Sequence, residues 1–219
     1  MGVALVLAMA VFAAGCGSSS SPSATSSHSP SATAPSQATP PANGSIGPEG
    51  IPLENGPALA PASSSAPGVT VDGIHCARLE QLAYHIHAHL QVYVDGQPRS
   101  IPAGIGMVGR VAEQTPAGPF YGATVCYYWL HTHASDGVIH IESPTPRLYT
   151  LGEFFDEWGQ PLGSDQVASA KGTVTTFVNG RVWSKTPRDI PLLPHEVIQL
   201  DVGSPRVPFG PISWAGTTL

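Results

Sequence analysis

Residues Tyr84–Gly96 read YHIHAHLQVYVDG. Histidine occupies every second position from His85 to His89, and Ile86, Ala88, Leu90, Val92 and Val94 fill the alternate ones. Such alternation predicts a half-buried β-strand over Tyr84–Val94, with three imidazoles on one face and aliphatic groups on the other. Asp95-Gly96 is a tight-turn signal, and Gln97–Ile101 is expected to return beside the strand. Imidazole is both an ordinary polar side chain and the commonest metal ligand, so whatever faces this strand decides its meaning.

Thr124–His133 (TVCYYWLHTH) is rich in aromatic and β-branched residues and predicts a second strand. Val138–Glu142 (VIHIE) predicts a third, reached through ASDG. A two-residue loop at Asp136-Gly137 would set His133 opposite His140 and His131 opposite Glu142. A four-residue loop would set His131 opposite His140 and His133 opposite Val138. In either register His131, His133 and His140 share a face, because cross-strand partners point the same way. Thr173–Val178, Asn179-Gly180 and Arg181–Ser184 predict another hairpin, and Glu196–Val202 a final alternating strand. One helix is expected over Leu151–Trp158. Thr150 and Glu153 form a capping box, Leu151, Phe154, Phe155 and Trp158 share one face, and Gly159 and Pro161 end it. Cys76–Ala83 is expected as a short helix. The pattern is α+β, mostly antiparallel β-sheet with one clear short helix packed on it.

At the start of the chain, Val3–Ala14 is apolar but shorter than a membrane span, and AAGC follows at Ala13–Cys16. This stretch resembles the signal and lipobox of bacterial lipoproteins, except that no Lys or Arg precedes the apolar run. The resemblance implies a signal peptide over residues 1–16, a lipid on Cys16 and an extracytoplasmic protein anchored to the cell membrane. Residues 17–68 are rich in Ser, Ala, Pro and Thr and are expected as a disordered tether with a coil reach on the order of 40 Å. His28 lies in it and receives no role. Residues 69–219 are expected to form a single globular domain carrying eight of the nine histidines. Charge is sparse and the net charge is −6, which excludes a nucleic-acid footprint. Cys76 and Cys126, outside the membrane, are expected as a disulfide.

The candidate metal ligands are His85, His87, His89, His131, His133 and His140, with Glu142 beside them. Imidazoles with a carboxylate suit a transition metal, Zn or Cu first, over Ca or Mg. Six histidines exceed the needs of one mononuclear site, so some stand behind the ligands or there are two metals. In a regular strand Cys126 shares its face with Tyr128 and Leu130 rather than His131, which disfavours a cysteine-ligated copper centre. For isolated histidines such as His75 and His195 a hydrogen-bonding role is expected.

The blocks YHIHAHL, CYYWLHTHASDGVIHIESP and YTLGEFFDEWGQPL resemble an uncharacterised family of secreted prokaryotic proteins that pair an HxHxH strand with an HTH…GxIHIESP segment. The likeness covers most of Cys76–Leu162 and implies one coherent domain. HTHASD approaches the metallo-β-lactamase HxHxDH motif, but Asp136 falls one place late. The HxH pairs lack the cupin glutamate. Gly104, Gly106 and Gly109 spell GxGxxG without a following helix or a suitably placed acid, so they are expected as loop and no nucleotide cofactor is expected. Three functions remain: a metal-binding lipoprotein, a metal-dependent enzyme with Glu142 or Asp136 as general base, or a structural or interaction domain. No protein partner is legible.

Overall fold

The histidine strand lies at the centre of the main sheet. The computed structural model describes residues 2, 44–63 and 67–219, and all of these except Gly2 belong to the compact unit Pro35–Leu219. The first strands are β1 (Cys76–Ala77), β2 (Tyr84–Val94), β3 (Gln97–Arg99), β4 (Met107–Thr115), β5 (Gly118–Tyr128), β6 (Leu130–His131) and β7 (Val138–Ser143). After α1 (Leu151–Trp158) come β8 (Gln166–Val167), β9 (Ala170–Lys171), β10 (Val174–Val178), β11 (Arg181–Val182), a 3₁₀ turn at Pro187–Asp189 and β12 (Val197–Val202). The main sheet runs β11-β10-β12-β2-β7-β6, with β3 also on β2; β1-β5-β4 form a second sheet and β8-β9 a small hairpin. Every named pairing is antiparallel except β12 with β2. The chain is therefore mostly antiparallel β-structure with a single short α-helix among the described residues.

Local sequence explains the register. Asp95 and Gly96 both take positive φ (50° and 74°), and Val94 pairs with Gln97 across them, as a two-residue turn between twisted strands requires. Asn179 and Gly180 repeat this between Val178 and Arg181. Thr150 accepts from the Glu153 N–H while the Glu153 carboxylate accepts from the Thr150 N–H, the expected capping box, worth about 1 kcal/mol.

Alternation along β2 divides the sheet into two unlike faces. Ala88, Leu90 and Val92 join Leu130, Ile139, Ile141, Ile198, Leu200 and Val202 in a core closed by Leu151, Phe154, Phe155 and Trp158 of α1. Each large side chain buried there contributes about 1.5–3 kcal/mol. The opposite face carries His87, His89, Gln91, His140, Glu142, Gln199 and Asp201, and it too is buried. The strand was expected to be half-buried; both of its faces are buried because three segments cover the histidine side. Residues 44–63 supply one layer, the β4–β5 hairpin a second and the chain after β12 a third. Phe120 of β5 stacks on His133, and the Gly210 carbonyl accepts from Gln91.

Several expectations change. The strand predicted over Thr124–His133 is two strands, because the chain leaves the hairpin sheet at Tyr128 and enters the main sheet at Leu130; the intervening Trp129 carbonyl accepts from the Glu142 N–H. The expected helix at Cys76–Ala83 is absent: Cys76 and Ala77 pair with Tyr128 and Tyr127, and Leu79 and Leu82 stay exposed, so the segment lacks the packed apolar face that supports the equally short α1. The expected disulfide is present, with Cys76 and Cys126 Cα atoms 5.4 Å apart. Gly104 and Gly106 lie in a loop as expected, but Gly109 sits inside β4 at a bulge between Val108 and Arg110. Of the stretch read as tether, residues 44–63 are placed on the domain, with Ile51, Leu59, Ala60 and Ala62 buried. Cys16, the signal segment and His28 lie outside the described residues.

Candidate metal centre

Three adjacent strands build the site. Across β2 and β7, His85 stands opposite Glu142 and His87 opposite His140. Across β7 and β6, His140 stands opposite His131, the pairing that the four-residue loop requires. His140 is thus flanked by His87 on one side and His131 on the other. His133 follows just beyond β6, its ring held flat against Phe120 at 4.4 Å.

Two sets of four donors form, each set within 4.8 Å, and they share His140 and Glu142. In the first, His85 Nε2 lies 2.9 Å from His87 Nε2 and 3.0 Å from Glu142 Oε1. His140 Nδ1 lies 3.2 Å from His87 Nε2 and 3.2 Å from the same Glu142 oxygen. A tetrahedral ion with bonds of about 2.0–2.1 Å holds its ligands about 3.3 Å apart; these four separations lie near that value and every pair in the set is within 4.8 Å, close enough for one ion to reach all four donors. In the second set, His131 Nε2 lies 3.1 Å from His133 Nε2 and 3.8 Å from Glu142 Oε2. Glu80 Oε1 lies 3.5 Å from His133 Nε2. His85 and Glu80 are each about one-third exposed (37% and 33%) and form the solvent side, whereas Glu142 is buried.

Carbonyl partners fix two tautomers. His131 Nδ1 lies 2.8 Å from the Tyr128 carbonyl and His133 Nδ1 2.6 Å from the Tyr121 carbonyl. A carbonyl only accepts, so both Nδ1 atoms carry hydrogen and both Nε2 atoms present lone pairs. Those lone pairs face each other at 3.1 Å, which is favourable only with a cation between them. Orientation of a ligand imidazole by a hydrogen bond from its other nitrogen is the usual support of a metal site.

Electrostatics oppose a proton in that role. Burial, then the charges of His133 and His140, hold His131 well below the ordinary histidine range. Burial and the charges of His140 and His85 push His87 down to about 2. Burial and His140 push His133 to about 4. His140 behaves oppositely: burial acts to lower it, but hydrogen bonds to Glu142 and Glu49 and their charge outweigh burial and raise it to about 9. Glu49 Oε1 lies 2.6 Å from His140 Nε2. Burial acts to raise Glu49, but the hydrogen bond and charge of His140, with the charge of His133, leave it lowered. Asp136, buried beside Glu49, is raised well above the carboxylate range by burial and by the Glu49 charge.

Of the seven expected ligands, six fall into these sets. His89 does not: its Nε2 donates to the Asp136 carbonyl at 2.7 Å, and its ring faces Trp214. His75 contacts Thr70 and Trp129, and His195 stacks on Trp214, so both lie outside the sets. Glu49 and Glu80 were missed. For Glu49 a signal existed: Ile46, Ile51, Leu53 and Leu59 interrupt a stretch that until then has no Ile or Leu after the apolar run. Glu80 carried none.

The arrangement is a buried His/Glu cluster able to hold a metal ion. No protein-family model, curated protein or solved structure matches the chain.

Proposed function

We propose that this chain is an extracytoplasmic lipoprotein that binds a transition metal, Zn or Cu, through its histidine cluster. The carrying observation is the convergence of His85, His87, His140 and Glu142, four donors within 4.8 Å of one another whose neighbouring atoms stand 2.9–3.2 Å apart. Nitrogen donors with one carboxylate favour these metals over Ca or Mg. The Cys76–Cys126 disulfide is compatible with an oxidising compartment. No helix among the described residues is long and apolar enough to cross a membrane. Attachment in this reading comes from lipid on Cys16, and Cys16→Ser should move the protein out of the membrane fraction.

Capture or delivery of metal is favoured over catalysis because both expected general bases are committed. Glu142 stands among the donors, and Asp136 is fully buried with its carboxylate accepting from the Val138 N–H. The test is uptake. Tag-free, demetallated protein titrated with Zn²⁺ or Cu²⁺ at neutral pH should bind stoichiometrically in calorimetry. Absence of any uptake leaves the histidines a purely structural role.

A further inference from the structure

The two oxygens of Glu142 face different donor sets. Oε1 lies 3.0 Å from His85 Nε2 and 3.2 Å from His140 Nδ1. Oε2 is buried, has no hydrogen-bond partner, and lies 3.8 Å from His131 Nε2. A buried carboxylate oxygen left so costs about 1–3 kcal/mol or more unless a cation meets it. His140 cannot serve both sets as a ligand, because its Nδ1 belongs to the first and its Nε2 is held by Glu49. The second set still has two converging lone pairs, from His131 and His133, and the nearby Glu80 carboxylate. One ion cannot collect all of these: His85 and His87 fall in one set, His131 and His133 in the other.

We propose that the cluster is a dinuclear centre bridged by the Glu142 carboxylate. One ion sits among His85, His87, His140 and Oε1. The other sits among His131, His133 and Oε2, with Glu80 completing its shell from the solvent side. This rests on the metal-binding reading above. Carboxylate-bridged ions stand about 3.5–4 Å apart. Glu142, Glu49 and Glu80 offset most of the charge of two divalent ions. Each ion has one ligand at the surface, His85 for the first and Glu80 for the second, so both can load from the solvent side.

The experiment is a titration of the demetallated full chain with Cu²⁺, read by metal analysis and by electron paramagnetic resonance. Two coppers per chain are expected, with spin coupling that broadens the signal and adds a half-field transition. His131→Ala/His133→Ala should drop the count to one and restore an isolated-copper spectrum; His85→Ala/His87→Ala should do the same from the other side. One copper in the unaltered protein, or two without coupling, overturns the bridged centre and leaves metal binding intact. No bound copper overturns both. The unaltered protein decides the matter even where a variant fails to fold.

Discussion

Glu49 Oε1 meets His140 Nε2 at 2.6 Å across 91 positions of sequence, joining the segment before the globular sheet to the middle ligand of the cluster. The contact fixes which nitrogen of His140 faces its neighbours. With Nε2–H donating to Glu49, Nδ1 is directed at His87 and Glu142.

Glu49→Gln should therefore weaken metal binding without abolishing it. Loss of a carboxylate behind a ligand imidazole typically costs 10–100-fold in affinity. Competition against a chelator of known affinity measures it. An unchanged affinity would mean that His140 is oriented by Glu142 alone.

The pH window follows from the same residue. His140 is raised to about 9, so in the neutral range a metal must displace its proton; His87 and His133, at about 2 and 4, offer no competition there. Affinity should climb about tenfold per pH unit up to about 9, with close to one proton released per first metal bound. For the metal-free fold the sign is opposite. The stability from His140 is full below 6.5 and is lost as pH rises through about 9. Calorimetry at pH 7.5 in buffers of different ionisation enthalpy counts the proton, and a count of zero contradicts the assignment.

Much of this was legible because strand parity is a strict rule. The alternation of His85, His87 and His89 fixed their face, and the even spacing to His140 fixed the second group. The length of the ASDG loop could not be read from sequence, and both lengths kept the same face. What parity could not reveal was depth. His89 shares its face with His87 yet ends at the Asp136 carbonyl, because the cluster narrows to the β7 and β6 side of β2. Long-range covers were also hidden. Glu49 lies among Pro, Gly and Ser residues with no periodicity, and β4 alternates too weakly to be read as a strand. Trp129, where the chain changes sheets, looks like any strand residue until the pairings on either side are known.

The Cys76–Cys126 bond closes a loop of 50 residues and fastens β1 to β5, at the far end of the hairpin that carries Phe120 and Tyr121. On a chain-entropy basis its removal costs up to about 4 kcal/mol. Cys76→Ser/Cys126→Ser should lower the denaturant midpoint accordingly. It should weaken the His131–His133 set more than the His85–His87 set, since only the former leans on β5 through the Tyr121 and Tyr128 carbonyls. Equal loss at both sets would show that the hairpin does not support the site selectively.

Asp201 gives a test that is independent of metal. It lies on β12, buried on the same polar face, where Gln199 Nε2 donates to it at 3.3 Å. Burial raises it from 3.8 to about 6, with the Gln199 hydrogen bond working against that rise. The folded state thus binds this proton more tightly than the unfolded chain. Its contribution is full below about pH 3.8, declines between about 4 and 6, and is gone above that window. A shift of about two units corresponds to about 3 kcal/mol at most. Asp201→Asn keeps a neutral side chain at every pH and retains an acceptor for Gln199. The variant should equal the parent at pH 4 and exceed it by about 1–3 kcal/mol at pH 7 in urea unfolding. A variant less stable than the parent at pH 7 would show that the ionised carboxylate is held favourably by its neighbours.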